Sequence, residues 1–224
     1  MTRDRMYQER AGNISVFRGC GFGCTYCAFR NALRRSSCEK CGTFEPHAHL
    51  EVLNKRPPKT KEGEFLTIGL TGDISFASDT TMQAIIHYCW LWAKHTFLIQ
   101  SKDPSFFLGY EFPENVILGT TIETNCNQIG ISKAPSTRSR ADAMVRLNNC
   151  KKMITIEPIM QFDMNTLPLW MRSISPEFIY VGYNSKDDIK LSEPSLEKTQ
   201  LLIEKLSEFT EVRTKLMRKA WWEK

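Results

Sequence analysis

The chain has 224 residues, of which 42% are hydrophobic and 25% are charged, a composition typical of a globular protein with one sizeable core. No apolar run approaches the roughly 18 residues that a membrane-spanning helix needs, and the charged first ten residues lack the apolar centre of a secretory signal. The pI of about 8.7 lies below the range typical of dedicated nucleic-acid binders. We therefore expect a cytoplasmic protein with no membrane attachment.

Six short β-rich runs recur along the chain and alternate with helical patterns. The runs are nearly continuous in apolar residues, which is typical of strands buried on both faces of a parallel sheet. The predicted strands cover residues 14–18, 65–70, 96–100, 116–121, 153–157 and 178–182. The predicted helices begin at Asp79, span 136–148 and 167–171, and begin at Ser192 or Ser195. The first of them is expected to bury Trp90 on its apolar side.

This alternation predicts an α/β fold with right-handed crossovers and a mostly parallel sheet. Six strand–helix units suit the length, whereas a closed eight-unit barrel typically needs about 250 residues. We therefore expect a partial (β/α)6 barrel formed by a single domain over residues 1–224. An extra loop containing cysteine and histidine is predicted at about 34–63.

Polar residues follow each predicted strand at the point where it ends. They are Cys20, Asp73, Ser101, Lys102, Glu123, Glu157, Tyr183 and Asn184. The carboxyl ends of parallel strands meet at one edge of a sheet, where such folds hold their active sites. The sequence therefore predicts a site at this edge. The alternative for the four charged side chains is a ring of structural ion pairs.

The placement of the eight cysteines indicates metal chemistry. Disulfides are rare in the cytoplasm, so a tight group of cysteines there points to a metal or to catalysis. Cys20, Cys24 and Cys27 have the spacing C-x3-C-x2-C, and glycines at 19, 21 and 23 allow tight backbone turns. Three thiolates can hold three irons of a cubane cluster and leave the fourth iron open. Thiolates also suit zinc, so the ligand type alone does not identify the metal.

These motifs resemble the radical S-adenosylmethionine superfamily. The cysteine spacing comes directly after the first strand, and Tyr26 precedes the third cysteine. Within the superfamily the chain is most similar to phage-associated radical-SAM proteins of unknown function, relatives of spore photoproduct lyase. The likeness rests on the cysteine motif and on segments 44–49 (FEPHAH), 71–73 (TGD), 101–104 (SKDP), 118–125 (LGTTIETN), 155–158 (TIEP) and 180–182 (YVG).

The resemblance implies a [4Fe-4S] cluster on Cys20, Cys24 and Cys27 whose open iron binds S-adenosylmethionine. Reductive cleavage of that cofactor would give a 5′-deoxyadenosyl radical that abstracts hydrogen from an unknown substrate, with nucleic acid or a nucleotide as the leading candidate. The cofactor supplies the difficult chemistry, and the barrel orients it. A one-electron donor such as ferredoxin or flavodoxin is the implied partner.

The resemblance also implies roles for the residues at the strand ends. Gly72 and Asp73 occupy the position of a Gly-Gly-Glu segment that contacts the amino group of the cofactor, and the shorter Asp73 reduces that reach. The residues implied in binding the rest of the cofactor are Tyr26 beside the adenine, Ser101, Lys102 and Glu123 near the carboxylate and ribose, and Glu157 in the same ring. Cys126 and Tyr183 are candidate hydrogen donors to a product radical, with core packing as the alternative.

Cys38 and Cys41 form a second C-x2-C pair and allow two zinc interpretations. Joined to Cys24 and Cys27, they have the spacing of a zinc ribbon, which would make the chain a nucleic-acid-binding protein without catalysis. That interpretation leaves Cys20 and the polar strand ends unexplained. Alternatively, Cys38 and Cys41 join the histidines at 47 and 49 in a separate zinc site, provided that the chain folds back. Otherwise they are two reduced thiols beside structural histidines.

The C-terminal segment 210–224 interleaves basic residues with Trp221 and Trp222. Aromatic rings beside cations can stack on nucleobases and contact phosphates. The alternative, which we favour, is a final strand or helix whose tryptophans close the bottom of the barrel. Basic residues are also frequent in the first sixty positions, where a solvated surface and a polyanion-binding surface are both open interpretations.

Overall fold

The computed structural model describes residues 7–127, 129–186 and 188–224; residues 1–6, part of the basic N-terminal stretch, lie outside it. The strands are β1 Arg10–Ile14, β2 Phe17–Arg18, β3 His47–Ala48, β4 Phe65–Ile68, β5 Phe97–Gln100, β6 Val116–Thr121, β7 Lys151–Ile156, β8 Phe178–Val181 and β9 Glu211–Thr214. The α-helices are α1 Glu39–Thr43, α2 Asp79–Leu91, α3 Thr137–Arg146, α4 Leu167–Ile174 and α5 Leu196–Ser207. Short 3-10 helices cover Leu50–Asn54, Ile74–Phe76 and Pro104–Gly109.

Seven strands form one parallel sheet in the order β1-β4-β5-β6-β7-β8-β9. From β4 onward, spatial order follows chain order, and helices cross from each strand to the next. The predicted α/β half-barrel with a mostly parallel sheet is therefore confirmed. Its seventh strand, β9, is a short polar strand at the edge of the sheet, in the segment for which the sequence predicts a final strand or helix.

The two faces of the sheet bury different sets of side chains because successive residues of a strand point to opposite faces. Residues such as Leu66, Ile99 and Ile154 pack with the helices in the larger core. The opposite face holds a smaller cluster of mainly aromatic and aliphatic side chains: Tyr7, Phe65, Leu98, Ile117, Met153, Phe178 and Tyr180. This alternation explains the continuous apolar runs of the sequence, since both faces are covered.

Side-chain caps begin three of the helices. The Oγ of Ser78 accepts from the backbone N–H of Thr81 at 3.2 Å and begins α2 one residue before the predicted cap. The Oγ of Ser136 and that of Ser195 cap α3 and α5 in the same way. The predicted burial of Trp90 is wrong, because its side chain is 67% exposed on the outer side of α2.

The predicted strand 14–18 is divided in the structure. β1 ends at Ile14 in the main sheet, and the chain then leaves that sheet to form β2, which pairs antiparallel with β3. The partner of β2 is therefore the predicted extra loop at 34–63. This pairing attaches the Cys/His-containing loop to the segment that leads into the first cysteine.

The C-terminal tryptophans lie on the side of the sheet where the strands end, and the expectation that they close the bottom is wrong. The indole N–H of Trp221 donates to the carbonyl of Leu191 at 2.6 Å, and that of Trp222 to the carbonyl of Glu193 at 2.9 Å. Both acceptors belong to the loop after β8. Each indole is 48% exposed.

The base of the half-barrel is filled by the segment before β1. Tyr7 is fully buried, with its ring 4.8 Å from that of Tyr180. The hydroxyl of Tyr180 donates to the Glu9 carboxylate, and Arg213 of β9 lies 3.7 Å from the same carboxylate. These side chains connect the first and last strands of the sheet. Within the described residues, no helix has the length and apolar character needed to cross a membrane.

Candidate active site

A cavity opens at the carboxyl ends of the parallel strands, where the sequence predicts a site. All three motif cysteines line it together with polar side chains from several strand ends. The lining includes Cys20, Cys24, Tyr26, Cys27, Gly72, Asp73, Ser101, Lys102, Glu157, Asn184 and Lys215. The structure thus brings most of the predicted site residues to one place.

The loop that carries the cysteines leaves β2 through Gly19, whose φ is +81°. A β-carbon at Gly19 would lie 2.1 Å from the carbonyl oxygen of Glu45, and one at Gly72 would lie 2.7 Å from the carbonyl oxygen of Gly19. The two glycines form a parallel backbone bridge. Position 72 therefore requires glycine, because two backbones approach each other closely there. Gly72 also lines the cavity.

Replacing Gly19 by alanine is expected to lower the free energy of unfolding by more than about 2 kcal/mol, because the positive φ and the clash with Glu45 both oppose a β-carbon. Gly63→Ala is the matched control, since Gly63 has a φ of +78° and nothing within 4 Å. In that control the free energy of unfolding should fall only by the cost of the positive φ, about 1–2 kcal/mol. Urea unfolding of both variants measures the difference. Equal losses would show that the close approach at Gly19 contributes nothing.

Backbone hydrogen bonds hold the cysteine loop from both sides. The N–H of Cys20 donates to the carbonyl of Phe44 at 3.2 Å, and the N–H of Thr25 donates to the carbonyl of Ile131 at 3.0 Å. On the far side of the cavity, the Lys186 ammonium donates to the carbonyl of Cys27 at 2.5 Å. The loop position is therefore set by contacts with three other segments of the chain before any metal binds.

The donor set of this loop fits an iron–sulfur cubane. Three free cysteine thiols face one cavity, and soft thiolates are the ligands that such clusters use. Burial, together with nearby Asp73 and the other two thiols, raises the pKa of Cys20 to about 12. The positive charge of cluster irons would stabilise the thiolate form of Cys20 against this rise.

Asp73 is held by hydrogen bonds from its own neighbourhood. One carboxylate oxygen accepts from the Ser101 hydroxyl at 2.6 Å and from the N–H and hydroxyl of Ser75, and the other accepts from the N–H of Lys102 at 2.8 Å. Burial raises the pKa of Asp73, and these hydrogen bonds offset part of that rise. Asp73 therefore connects the end of β4 to the end of β5 and fixes Ser101 and Lys102 at the cavity.

Glu123 lies behind the cavity and is bound by two cations. Lys102 Nζ lies 2.7 Å from one carboxylate oxygen, and Arg140 donates to the other at 2.8 Å. The Tyr26 hydroxyl also donates to Glu123, and Lys102 Nζ lies 4.4 Å from the centre of the Tyr26 ring. Burial alone would raise the pKa of Glu123, but Lys102 and Arg140 outweigh it and lower the pKa to about 2.

This buried network ties the cysteine loop to β6 through Tyr26. Its member Arg140 was missed by sequence reasoning. The available signal was position, because Arg140 is four residues before the buried Met144 and so lies on the apolar side of α3. The guanidinium also donates to the carbonyl of Thr121 at 2.8 Å. A cation on the buried side of a helix indicates a buried acidic partner.

A second ion pair lies on the opposite wall of the cavity. Lys215 Nζ is 2.5 Å from a carboxylate oxygen of Glu157, and both side chains are about nine-tenths buried. Lys215 follows β9 and was also missed, because the sequence gave no bounds for the final strand or helix from which to place it. Ion pairs at Glu123 and Glu157 match the alternative of structural ion pairs, while Lys102, Glu157 and Lys215 still face the cavity.

The two candidate hydrogen donors lie elsewhere. The Tyr183 side chain is fully buried, and its hydroxyl is bonded to Thr199 of α5 at 2.7 Å. Cys126 is exposed, with its sulfur 3.8 Å from the side-chain oxygen of Asn125. Neither is among the described residues that line the cavity. The packing alternative fits Tyr183, and Asn184 is the residue of this strand end that reaches the cavity.

The two C-x2-C pairs do not share one site. Cys24 and Cys27 line the cavity with Cys20, whereas Cys38 and Cys41 lie with His47 and His49. The latter four form the one group of three or more His, Cys, Asp or Glu ligand atoms that could hold a single metal ion among the described residues. The zinc-ribbon spacing in the sequence is therefore not a zinc ribbon in the structure.

Comparison with solved structures identifies the fold. A spore photoproduct lyase mutant solved with dinucleoside spore photoproduct matches with a TM-score of 0.63 and 12% identity, covering 90% of this chain and 76% of that chain. The chain has the fold of spore photoproduct lyase. A second spore photoproduct lyase mutant matches with a TM-score of 0.60 and 13% identity, over 90% of this chain and 62% of that chain. No family model and no curated protein matches the sequence.

Proposed function

We propose that the chain is a radical S-adenosylmethionine enzyme with a [4Fe-4S] cluster on Cys20, Cys24 and Cys27. The observation that carries the proposal is the position of these three thiols, which line one cavity at the carboxyl ends of a spore photoproduct lyase-like half-barrel. When bound, the cluster supplies the electron that splits S-adenosylmethionine into methionine and a 5′-deoxyadenosyl radical. Fold alone does not fix a reaction, so the proposal rests on the donor set within that fold.

The chain's own residues prepare the cavity for a charged cofactor. Asp73 holds the backbone after β5 in place, so that the Ser101 and Lys102 segment faces the cluster loop. Lys102 and Lys215 face the cavity as members of ion pairs with Glu123 and Glu157, and Lys186 brings a further positive charge to the carbonyl of Cys27. The Tyr26 ring, held from behind by Glu123, offers an aromatic surface next to the cysteines.

We propose a nucleic acid or a nucleotide as the substrate. The proposal is supported by the lyase of like fold, which was solved with a dinucleoside photoproduct, and by the positive charge of Lys186 beside the cysteine loop. A one-electron donor such as ferredoxin or flavodoxin would serve as the redox partner. A reducing cytoplasm would suit the chain, because none of its eight cysteines, all of them described, forms a disulfide.

Anaerobic reconstitution with iron and sulfide tests the enzymatic proposal. The reduced protein is expected to hold about four irons per chain at the cysteine motif and to convert S-adenosylmethionine to 5′-deoxyadenosine, measured by liquid chromatography and mass spectrometry. Candidate oligonucleotides and nucleotides are then added, and a mass change in one of them identifies the substrate class. A protein that binds only zinc would defeat the proposal. Iron without cleavage would instead favour electron transfer.

A further inference from the structure

Four ligand atoms converge beside the cluster loop, in the segment between β2 and β4. The sulfurs of Cys38 and Cys41, together with Nε2 of His47 and of His49, lie within 4.8 Å of one another. Nε2 of His47 is 3.4 Å from each sulfur, and Nε2 of His49 is 3.4 Å from the sulfur of Cys41. The Cys41 side chain is fully buried. We call these four residues the Cys/His group.

Secondary structure brings the two halves of the Cys/His group together. Cys38 caps α1, and Cys41 lies in its first turn, which brings both sulfurs to one side. His47 begins β3 and His49 directly follows it, so that alternation along the strand points both rings the same way. The N–H of His49 donates to the carbonyl of Val16 at 2.7 Å, which holds this segment against the chain before β2.

Hydrogen bonds at the far side of each ring select the nitrogen that faces the sulfurs. Nδ1 of His47 lies 2.7 Å from the carbonyl oxygen of Glu45, and Nδ1 of His49 lies 3.1 Å from a carboxylate oxygen of Glu51. Both acceptors require a proton on Nδ1, which leaves a lone pair on each Nε2 in the neutral ring. Metal-binding histidines are oriented in this way by a carbonyl or carboxylate group.

The distances match a tetrahedral ion. Zn–S bonds of about 2.3 Å and Zn–N bonds of about 2.0–2.1 Å place sulfur and nitrogen about 3.6 Å apart across a tetrahedral edge. The three sulfur–nitrogen distances of 3.4 Å are close to this value. The two Nε2 atoms lie 2.8 Å apart, closer than the roughly 3.3 Å of a tetrahedral edge. With both Nδ1 atoms protonated, the two lone pairs repel each other unless a proton or a metal ion lies between them. One metal ion satisfies all four atoms at once.

We propose that Cys38, Cys41, His47 and His49 bind one Zn²⁺ as a structural site, separate from the cluster proposed above. Four protein ligands fill the tetrahedral coordination of zinc and leave no position for a reacting water, which is the pattern of structural sites. A mixed set of two thiolates and two imidazoles suits zinc. Arg18, with its NH1 3.6 Å from the sulfur of Cys41, contributes positive charge that stabilises the thiolate.

The proposed zinc site lies against the loop that contains Cys20, the first of the three cluster cysteines. Arg18 pairs with His47 between β2 and β3, and the N–H of Cys20 donates to the carbonyl of Phe44, three residues after Cys41. Zinc would thus hold segment 38–49 against Arg18 and Cys20, the residues on either side of Gly19. Because the metal bonds form only in the folded state, their free energy contributes to the stability of this segment.

Elemental analysis of the full chain tests this proposal. Protein purified anaerobically is expected to hold about one zinc per chain, and Cys38→Ser is expected to reduce this at least about tenfold. Cys150→Ser is the matched control, because Cys150 lies outside both groups of cysteines and should keep the zinc. A triple variant with Cys20, Cys24 and Cys27 changed to alanine should also keep the zinc. The zinc measurement therefore remains interpretable even if no iron–sulfur cluster forms.

Cobalt binding gives a second measurement that does not depend on the folding of a variant. Zinc is removed from the wild-type chain with a chelator, and Co²⁺ is added under anaerobic conditions. Tetrahedral coordination by two thiolates is expected to give intense visible bands and a sulfur-to-cobalt charge-transfer band, both reversed by one equivalent of zinc. Wild-type protein without zinc and without these bands would overturn the proposal. Zinc retained in full by Cys38→Ser would overturn it equally.

Discussion

Replacing Cys20, Cys24 or Cys27 by alanine is expected to abolish formation of 5′-deoxyadenosine. Each replacement removes one of three thiolates that a cubane needs, and the cavity lining offers no other cysteine to take its place among the described residues. Iron after reconstitution should fall to below about one-tenth of the wild-type content. Iron analysis and mass spectrometry of the reaction mixture measure the two effects.

Cys150→Ser supplies the control for these three variants. It removes one thiol and should keep both iron and cleavage, since Cys150 lies at the start of β7, away from the cavity. Circular dichroism of all four proteins shows whether each is folded. An alanine variant that is folded, binds iron like the wild type and still cleaves S-adenosylmethionine would remove that cysteine from the cluster.

Changing Glu123 to glutamine is expected to lower the free energy of unfolding by about 3–5 kcal/mol. The carboxylate lies between Lys102 and Arg140, so its neutralisation leaves two buried cations without their shared anion. Glu204→Gln, at an exposed position of α5, is the matched control and should change stability by less than about 0.5 kcal/mol. Urea unfolding at neutral pH measures both. Equal stability of the two variants would contradict the role given to Glu123.

The same carboxylate makes stability depend on acid pH. In the folded state the pKa of Glu123 is lowered to about 2 from an ordinary value of 4.5, so the folded protein favours the ionised form. The resulting stabilisation, about 3 kcal/mol, is complete above pH of about 4.5 and is lost as the pH falls toward 2. Unfolding curves between pH 7 and 3 should show this loss in the wild type. In Glu123→Gln that component of the loss should be missing.

The parallel core was predictable because its signal is local and strong. Strands such as β4 and β6 are buried on both faces, and their apolar runs mark them without reference to any partner. β9 could be predicted only as a final strand or helix without bounds, because its Glu211 and Arg213 are charges of the kind found on an edge strand and interrupt any apolar run. Trp90 lies four residues after the buried Ile86, and this spacing predicted burial, but the side chain is exposed to solvent.

The position of most candidate residues at or near one cavity was predictable, but the pairing of their side chains was not. Chain order and strand ends identified Asp73, Ser101 and Glu123, because the topology of a parallel sheet brings such positions together. Their partners come from later segments. Arg140 reaches Glu123 across 17 positions and Lys215 reaches Glu157 across 58, and no sequence pattern states which cation meets which anion. The Cys/His group is a similar case. The spacing suggested its four members, but only the pairing of β3 with β2 shows that the chain folds back and brings them together.

The connection between the outermost strands has a consequence for the width of the cavity entrance. In the part of the chain that the structure describes, β1 and β9 end the sheet, and the side chains of Glu9, Tyr180 and Arg213 join them at the base. A closed barrel fixes its radius through a continuous backbone ladder, whereas a seam of side chains leaves the radius adjustable. We therefore expect the curvature of this sheet to be less constrained than that of a closed barrel.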